Sequence, residues 1–182
     1  DSIRVDVRVI VATSDKSEDD VISKHCQDCN VPVFRGSESD VLDRYYKCAV
    51  SEKFDNVVRL TADNPFPDVD ELENLITNHL EFNYDYSHSF GILPIGVGAE
   101  IITFTALEKI WQAAVLPAHR EHINDYIYDN LEKFKVGNIN IGVAKRAPTL
   151  RLTVDTEEDY EYVCSLAGKF PVGYLKTEEA IK

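Results

Sequence analysis

Hydrophobic residues along the chain form two kinds of pattern, short continuous runs and helical stripes. Runs rich in Val and Ile, typical of strands buried on both faces, predict strands at residues 7–12, 31–34, 56–60, 84–89, 100–104 and 150–154. Between them, apolar residues three and four apart predict amphipathic helices, one of which carries Val69, Leu72, Leu75, Ile76 and Leu80. Because strands alternate with helices, we expect one layered α/β domain over residues 1–182, with a mostly parallel sheet.

Polar residues at the edges of these stripes predict where helices begin and end. Ser17-Glu-Asp-Asp20 and Thr156-Glu-Glu-Asp159 are typical of capping boxes, and Asn30 suits a left-handed residue after a helix. A helix is expected from about Asp40, and Thr105 is expected to cap another. A further helix is expected from about His119 through Leu131.

Composition and charge exclude some classes of partner. The chain has 182 residues, 44% of them hydrophobic, and a formal net charge of -13. This charge repels phosphate backbones, so we expect no nucleic-acid partner, and a small anionic ligand would need a cation between itself and the protein. Neither a signal sequence nor an apolar run of the ~20 residues that span a membrane is visible. We therefore expect a cytoplasmic protein with no membrane partner.

The four cysteines include a Cys26-x-x-Cys29 pair beside His25, which resembles half of a zinc site. No second pair follows it. Ile22, Cys26 and Cys29 share one helical face, and free cysteine is usually buried, so we interpret them as core residues rather than metal ligands.

Two strand ends repeat one pattern. Arg59-Leu-Thr-Ala-Asp63 and Arg151-Leu-Thr-Val-Asp155 each finish an apolar run with an aspartate before a helix. Ligands of open α/β sheets bind beyond the carboxyl ends of strands, and Mg²⁺ takes one or two carboxylates together with substrate phosphates. The alternative is structural: Asp63 would begin a turn before Pro65, and Asp155 would merely precede a helix.

Residues 34–46 follow a strand and open a helix. Gly36 and Ser37 would let backbone amides approach a ligand, and Arg35 and Arg44 would meet an anion. The segment lacks the phosphate-loop pattern, so a helix N-terminus with solvated charges remains the alternative.

Five segments in this order resemble one family: residues 11–15, 34–45, 58–65, 120–122 and 153–159. Together they are similar to the spore-coat polysaccharide type of cytidylyltransferase, related to the acylneuraminate and Kdo cytidylyltransferases. The resemblance implies a Rossmann-like nucleotidyltransferase fold, with three α/β/α layers. It also implies an enzyme of surface polysaccharide synthesis that uses CTP, a sugar acid and Mg²⁺ to make a CMP-sugar and pyrophosphate.

The resemblance also implies roles for single residues. Asp63 and Asp155 match the catalytic and metal-binding aspartates. Asp43 and Arg44 match a turn near the nucleotide, to which we add Arg35 and Ser37. Glu100, Arg120 and His122 match the sugar side. A homodimer is a further expectation.

One part of the family's pattern has no counterpart here. The basic loop that holds the triphosphate is absent, as is any methionine, so we expect a missing N-terminal unit of roughly 30 residues and an inactive chain on its own. Two alternatives stay open: a nucleotidyltransferase for another base or sugar phosphate, and a non-catalytic sugar-nucleotide-binding module.

Overall fold

Strands and helices alternate along the chain, as the hydrophobic pattern predicts. The structure is a computed structural model that describes residues 6–169 and 176–181. Its strands are β1 (Val11–Ser14), β2 (Val33–Gly36), β3 (Asn56–Arg59), β4 (Tyr86–His88), β5 (Glu100–Thr103) and β6 (Val136–Asn138). Its α-helices are α1 (Asp20–Asp28), α2 (Val41–Glu52), α3 (Val69–Phe82), α4 (Phe104–Ala113), α5 (Pro117–Glu121), α6 (Ile123–Tyr128), α7 (Glu157–Lys169) and α8 (Thr177–Ala180).

The chain divides into two compact units. Of the described residues, unit I comprises 58–101, 136–169 and 176–181, and unit II comprises 6–57 and 102–135. The boundary falls within β3 and β5, so the last two residues of β3 and the first two of β5 belong to unit I. Each unit is described separately below.

Unit I holds most of a four-stranded sheet with the order β3–β5–β4–β6. β4 and β6 are parallel, with Tyr86 opposite Val136 and His88 opposite Asn138. α3 begins at Asp68, whose side chain accepts a hydrogen bond from the Glu71 N–H at 2.9 Å. The apolar core draws on the helices, the sheet and the loops between them: Leu75, Ile76, Leu93, Val97, Ala99, Ile101, Ile139, Ile141, Leu152, Leu166 and Ala180.

Unit II contains the parallel pair β1–β2, in which Val11 lies opposite Val33 and Ser14 opposite Gly36. α2 begins after Asp40, whose carboxylate accepts from the Asp43 N–H at 2.9 Å. The most deeply buried apolar side chains of unit II come from α2, α4 and α6: Leu42, Ala49, Ala106, Leu107, Ile110 and Ile127. The pairs β1–β2 and β4–β6 are thus both parallel, which confirms the predicted α/β class with mostly parallel pairing.

Three predicted strands are displaced or reduced. The first lies at 11–14 rather than 7–12, because its pairing with β2 starts at Val33, directly after Pro32, which has no N–H to donate. The second, expected at 31–34, lies at 33–36, because Pro32 has no N–H to donate and Gly36 still pairs with Ser14. The last, expected at 150–154, is reduced to one parallel bridge between Ile95 and Arg151. The segment lies beside a loop that contains Pro94, Gly96 and Gly98, and in this loop Ile95 alone forms a bridge with it. β6 was not predicted.

Several predicted helix details are also corrected. The helix expected from His119 to Leu131 is two short helices, because His122 adopts an extended conformation (φ -114°, ψ 97°) between them. Thr103, not Thr105, caps α4 by accepting from the Ala106 N–H. Ser17 makes no capping hydrogen bond, and a 3₁₀ turn precedes α1.

Other predicted helix features hold. Asn30 has φ 56°, the left-handed conformation expected after a helix. Thr156 and Asp159 bond reciprocally, since Asp159 N–H donates to Thr156 Oγ1 at 3.2 Å and Thr156 N–H donates to Asp159 Oδ2 at 3.1 Å. Within the described parts of the chain, no helix is both long and apolar enough to cross a membrane.

The prediction that Ile22, Cys26 and Cys29 form a buried helix face is partly wrong. Cys26 is buried, but Cys29 and Ile22 are exposed. All four cysteines are free, and among the residues that the structure describes no three His, Cys, Asp or Glu side chains form a metal-holding group.

Candidate active site

Asp63 and Asp155 line the same pocket in unit I. Asp63 lies in the turn that follows β3, where the Asn64 N–H donates to the Thr61 carbonyl at 3.1 Å and the Asn64 side chain donates to Thr61 Oγ1 at 2.7 Å. Asp155 lies two residues before the start of α7. The Val154 N–H donates to the Asp63 carbonyl oxygen at 2.8 Å, so the backbones of the two aspartate-bearing segments are in contact.

The pocket has a volume of about 450 Å³. One part of its wall is polar and acidic, and another is a loop rich in Pro and Gly. Its lining residues are Asp63, Asn64, Phe90, Gly91, Leu93, Pro94, Ile95, Gly96, Gly98, Pro148, Thr153 and Asp155. A concave site of this size falls within the range of small-molecule pockets.

Gly96 brings the loop against the segment that carries Asp155. Its φ is +92°, a left-handed conformation that other residues rarely adopt. A Cβ at this position would lie 2.6 Å from the Thr153 nitrogen and 2.9 Å from Asn64 Oδ1. The neighbouring Ile95 donates its N–H to Leu150 and accepts from the Leu152 N–H, both at 2.8 Å. Close packing at Gly96 therefore shapes the wall between the two aspartates.

The two carboxylates differ in their partners. Within residues 6–169 and 176–181, the exposed Asp63 carboxylate makes no hydrogen bond or ion pair. Asp155 Oδ2 lies 2.7 Å from Arg151 Nη2, which is also 3.2 Å from Asp159 Oδ2. The hydrogen bond from Arg151 is the main reason why the pKa of Asp159 lies below its ordinary value. Asp155 thus shares the guanidinium of Arg151 with Asp159, while the Asp63 carboxylate faces solvent without a cationic partner among the described residues.

The donor chemistry of this pair suits a hard divalent cation. Mg²⁺ commonly takes one or two protein carboxylates and completes its coordination with water and substrate phosphates. Two aspartates on one pocket are carboxylates of this kind, although Asp155 is also paired with Arg151 and no group of three metal-ligating side chains occurs within the described ranges.

Glu100, expected on the sugar side, lies in a buried network of unit I. Its carboxylate is 2.6 Å from Arg59 Nη1 and accepts from the Tyr86 hydroxyl at 2.5 Å. Only 3% of the residue is exposed. In this structure Glu100 therefore stabilises the junction of β3, β4 and β5, and its role toward a sugar stays a prediction.

The predicted nucleotide residues Arg35, Ser37 and Arg44 lie in unit II. The Arg35 guanidinium donates to the Ser14 and Lys16 carbonyls and forms an ion pair with Asp20 at 2.7 Å. Arg44 Nη1 donates to the Ser37 carbonyl at 2.5 Å. Arg44 Nε is buried and meets no acceptor among the described residues. The structure brings Ser37 and Arg44 together, while Arg35 is engaged in holding β1 and α1.

Asp43, Arg120 and His122 also lie in unit II. Asp43 accepts from Trp111 Nε1 at 2.9 Å and from Lys47 at 2.7 Å. Burial acts to raise the pKa of Asp43, but these two donors hold it below its ordinary value. Arg120 forms a two-pronged contact with Asp40, and His122 is exposed between α5 and α6.

Some residues of this pocket were missed by sequence reasoning. Asn64, Phe90 and Thr153 line it beside the aspartates. The signal for Asn64 and Thr153 was present, since they adjoin the repeated strand-end pattern. The glycines and proline at 91–98 predicted a loop, but nothing in the sequence placed Phe90 in a pocket wall.

An α/β fold with two aspartates on one pocket has the features of an α/β protein that binds small molecules. Residues 2–180 match the sequence profile of the family described as cytidylyltransferase, and the chain belongs to that family. Its resemblance to the spore-coat polysaccharide type is confirmed by 36% identity over 162 residues to the spore coat polysaccharide biosynthesis protein SpsF of Bacillus subtilis.

Two other proteins extend the comparison. An uncharacterized protein of Methanocaldococcus jannaschii, MJ1063, is 38% identical over 162 residues. These alignments cover 89% of the chain for the archaeal protein and 88% for SpsF, yet span 66% and 67% of those proteins. The structure of a cytidylyltransferase from Leptospira borgpetersenii superposes with a TM-score of 0.88 at 32% identity, covering 95% of this chain and 74% of that one. The predicted Rossmann-like nucleotidyltransferase fold is thereby confirmed.

Proposed function

We propose that the protein transfers CMP from CTP to a sugar, releasing pyrophosphate, and that unit I carries the reaction centre between Asp63 and Asp155. The observation that carries this proposal is the position of these two aspartates on one pocket beyond the ends of apolar segments. Membership of the cytidylyltransferase family supports CTP as the donor.

In this reaction a sugar hydroxyl oxygen forms a bond to the α-phosphorus of CTP. The bond from that phosphorus to the bridging oxygen of the β-phosphate breaks, pyrophosphate leaves, and the hydroxyl proton passes to water. Mg²⁺ held by Asp63 and Asp155 would offset the negative charge of the phosphates, which a chain of net charge -13 otherwise repels. Asp63 is the stronger ligand candidate, because its carboxylate is exposed in the pocket and unpaired by any described residue.

We further propose that the acceptor is a sugar acid used in surface polysaccharide synthesis. The motif resemblance to acylneuraminate and Kdo cytidylyltransferases supports the acid, and the similarity to a spore coat polysaccharide protein supports the pathway class. Glu100, Arg120 and His122 stay predictions for contacts with this acceptor. Arg35, Ser37, Asp43 and Arg44 stay predictions for contacts with CTP.

The test is pyrophosphate release by the full-length protein, measured with CTP, UTP, GTP or dTTP against N-acetylneuraminate, Kdo and neutral hexoses. We expect release with CTP and a sugar acid, dependent on added Mg²⁺ and abolished by EDTA. Release with another nucleotide or a sugar phosphate would replace this proposal with a different nucleotidyltransferase. Binding of a CMP-sugar without any release would favour a non-catalytic binding module.

Assembly and location have separate tests. Light scattering with chromatography checks the expected homodimer, and cell fractionation checks the expected cytoplasmic location. A monomer or a membrane-associated protein would contradict these predictions without affecting the reaction.

A further inference from the structure

Phe90 is the aromatic side chain among the residues that line the pocket. It lies two residues after the end of β4 and is 38% exposed, whereas Leu93 and Val97 in the loop that follows are buried. The same pocket contains Asp63 and Asp155. An exposed ring in a concave site offers a flat apolar surface to a ligand, whereas the same ring on a convex surface would have no such use.

The ring of Phe90 is the outer member of a ladder of three rings. Phe90 and His88 are stacked, with ring centroids 5.5 Å apart and an interplanar angle of 20°. His88 and Tyr86 are tilted, with centroids 5.7 Å apart. These residues alternate along one face of β4 and its extension, as side chains two residues apart do in a strand. The three stacked or tilted rings therefore run from the buried Tyr86 to Phe90 in the pocket wall.

The inner end of the ladder is fixed by buried polar contacts. The Tyr86 hydroxyl donates to Glu100, which pairs with Arg59. The Phe90 N–H donates to His88 Nδ1 at 3.3 Å. Burial lowers the pKa of His88, and the nearby charge of Glu100 partly offsets this effect. The hydrogen bond and the stacking orient the imidazole against the Phe90 ring.

The loop after Phe90 also sets its position. A Cβ at residue 98 would lie 2.9 Å from Phe90 Cδ1 and 3.2 Å from Ser89 Oγ, so a larger residue there would displace the ring. Two hydrogen bonds between Ser89 and Ala99 join the two ends of the loop. The Ser89 N–H donates to the Ala99 carbonyl at 3.0 Å, and the Ala99 N–H donates to Ser89 Oγ at 2.8 Å. Leu93 and Val97, within the loop, are buried in the core of unit I. The ring is thus held in place before any ligand arrives.

We propose that Phe90 is the stacking platform for the acceptor sugar, contacting the C–H-rich face of its ring. This inference rests on the proposed function. The acceptor's attacking oxygen bonds directly to the α-phosphorus, so the acceptor ring must lie close to the aspartates that hold the metal and phosphates. The cytosine is separated from that phosphorus by the whole ribose. A platform in the aspartate pocket therefore fits the sugar better than the base.

The experiment compares Phe90→Ala, Phe90→Tyr and a matched control, Phe82→Ala, in the full-length protein. Phe82 is an exposed phenylalanine at the end of α3, outside the pocket. We expect Phe90→Ala to raise KM for the sugar roughly five- to tenfold, the loss of one aromatic contact, with KM for CTP within about twofold of wild type. Phe90→Tyr keeps the ring and should restore the sugar KM, and Phe82→Ala should change neither constant. Thermal unfolding checks that all variants fold.

Two kinetic results would overturn the platform: an unchanged sugar KM in Phe90→Ala, or a raised KM for CTP alone. Saturation-transfer NMR with millimolar N-acetylneuraminate, Kdo and glucose separates this inference from the proposed function. Sugar binding by wild type that Phe90→Ala loses, without pyrophosphate release, would retain the platform and reject the reaction. No sugar binding by the wild-type protein would reject the platform as well.

Discussion

The backbone N–H of Val154 donates to the backbone carbonyl of Asp63 across 2.8 Å, although the two residues are far apart in sequence. This bond ties the turn after β3 to the segment before α7, and each segment carries one aspartate of the pocket. The backbone positions of the two aspartates are therefore fixed relative to each other, although Asp155 Oδ2 is paired with Arg151 and would have to exchange that partner to bind a cation.

Asp63→Asn should remove most of the activity while leaving the fold intact. Asparagine keeps the shape of the side chain but removes the charge that would offset Mg²⁺. We expect a loss of turnover on the order of 10²–10³ in pyrophosphate release at saturating CTP. Asp28→Asn is the control, because Asp28 is exposed and forms an ion pair with Lys24 on the surface of α1. Normal turnover by Asp63→Asn at ordinary Mg²⁺ would reject the metal role of Asp63.

Three glycine-to-alanine variants should rank in a fixed order of stability. Gly142 has open space around it and no left-handed φ, so Gly142→Ala should be nearly neutral. Gly91 has φ +84° with open space, so its variant adds only backbone strain, about 1–3 kcal/mol. Gly96→Ala adds the same strain and a clash of its Cβ at 2.6 Å from Thr153, so it should be the least stable.

Urea unfolding of the three glycine variants measures this order. Gly96→Ala should also lower turnover, because the loop it displaces packs against Thr153 and Asn64 in the pocket. If Gly96→Ala and Gly91→Ala lose equal stability, the close approach at Gly96 is not a constraint on the pocket.

The repeated Arg-Leu-Thr-x-Asp pattern correctly predicted that Asp63 and Asp155 line one pocket. Asp63 lies in the turn that follows a strand, β3. Asp155 follows a segment that forms only one bridge, so its position depends on the backbone bond between Val154 and Asp63. Phe90 and Gly96 could not be found in the same way, since their environment is made by contacts with residues 150–153, remote in sequence. The last predicted strand failed for the same reason. Its apolar residues suit a strand, but its partner is a loop that pairs through Ile95 only.

α3 shows the limit of periodicity within a single helix. The pattern predicted Leu80 inside, but Leu80 is 44% exposed and His79 is 1% exposed. The two residues lie on either edge of the apolar stripe, and periodicity alone favours the more hydrophobic one. His79 is buried instead because its Nδ1 is 2.5 Å from the buried Ser87 hydroxyl in β4. A polar partner on another element decided the outcome.

His79 should make the protein less stable in acid. Burial lowers the pKa of His79 from 6.5 to about 4, and its Nε2 meets no partner among the described residues. The unfolded chain therefore binds a proton between pH 6.5 and 4 that the folded protein does not. Stability due to this group is complete above pH 6.5 and falls as pH drops toward 4, by roughly 3 kcal/mol for a shift of this size.

The measurement is the free energy of unfolding in urea at several pH values from 7 to 4. His79→Gln should lose some stability at pH 7 but show a shallower decline with acid than wild type. His25→Gln, at an exposed position of α1, serves as the control and should decline in parallel with wild type. Equal slopes for His79→Gln and wild type would show that His79 is not buried in its neutral form.

Lys145 joins segments on both sides of the pocket. Its ammonium lies 3.0 Å from Asp68 Oδ1 and 3.2 Å from Glu71 Oε1, and Thr177 donates to the other Asp68 oxygen. Asp68 follows the turn that carries Asp63, and Lys145 precedes the segment that carries Asp155. Lys145→Met would leave two carboxylates of low exposure without their cation. Breaking a buried ion pair in this way typically costs 3–5 kcal/mol.

Urea unfolding at pH 8 should show this loss for Lys145→Met, whereas Lys24→Met, at an exposed pair with Asp28, should change little. Burial alone would lower the pKa of Lys145, but the bonds with Asp68 and Glu71 raise it from 10.5 to about 12. Because the folded pKa is the higher one, the ammonium stabilises the fold fully below pH 10.5 and loses this effect as pH rises through 12. Wild type should therefore lose its advantage over Lys145→Met in that alkaline range. An advantage that is absent at pH 8, or that persists unchanged at pH 12, would contradict the charge-based role of Lys145.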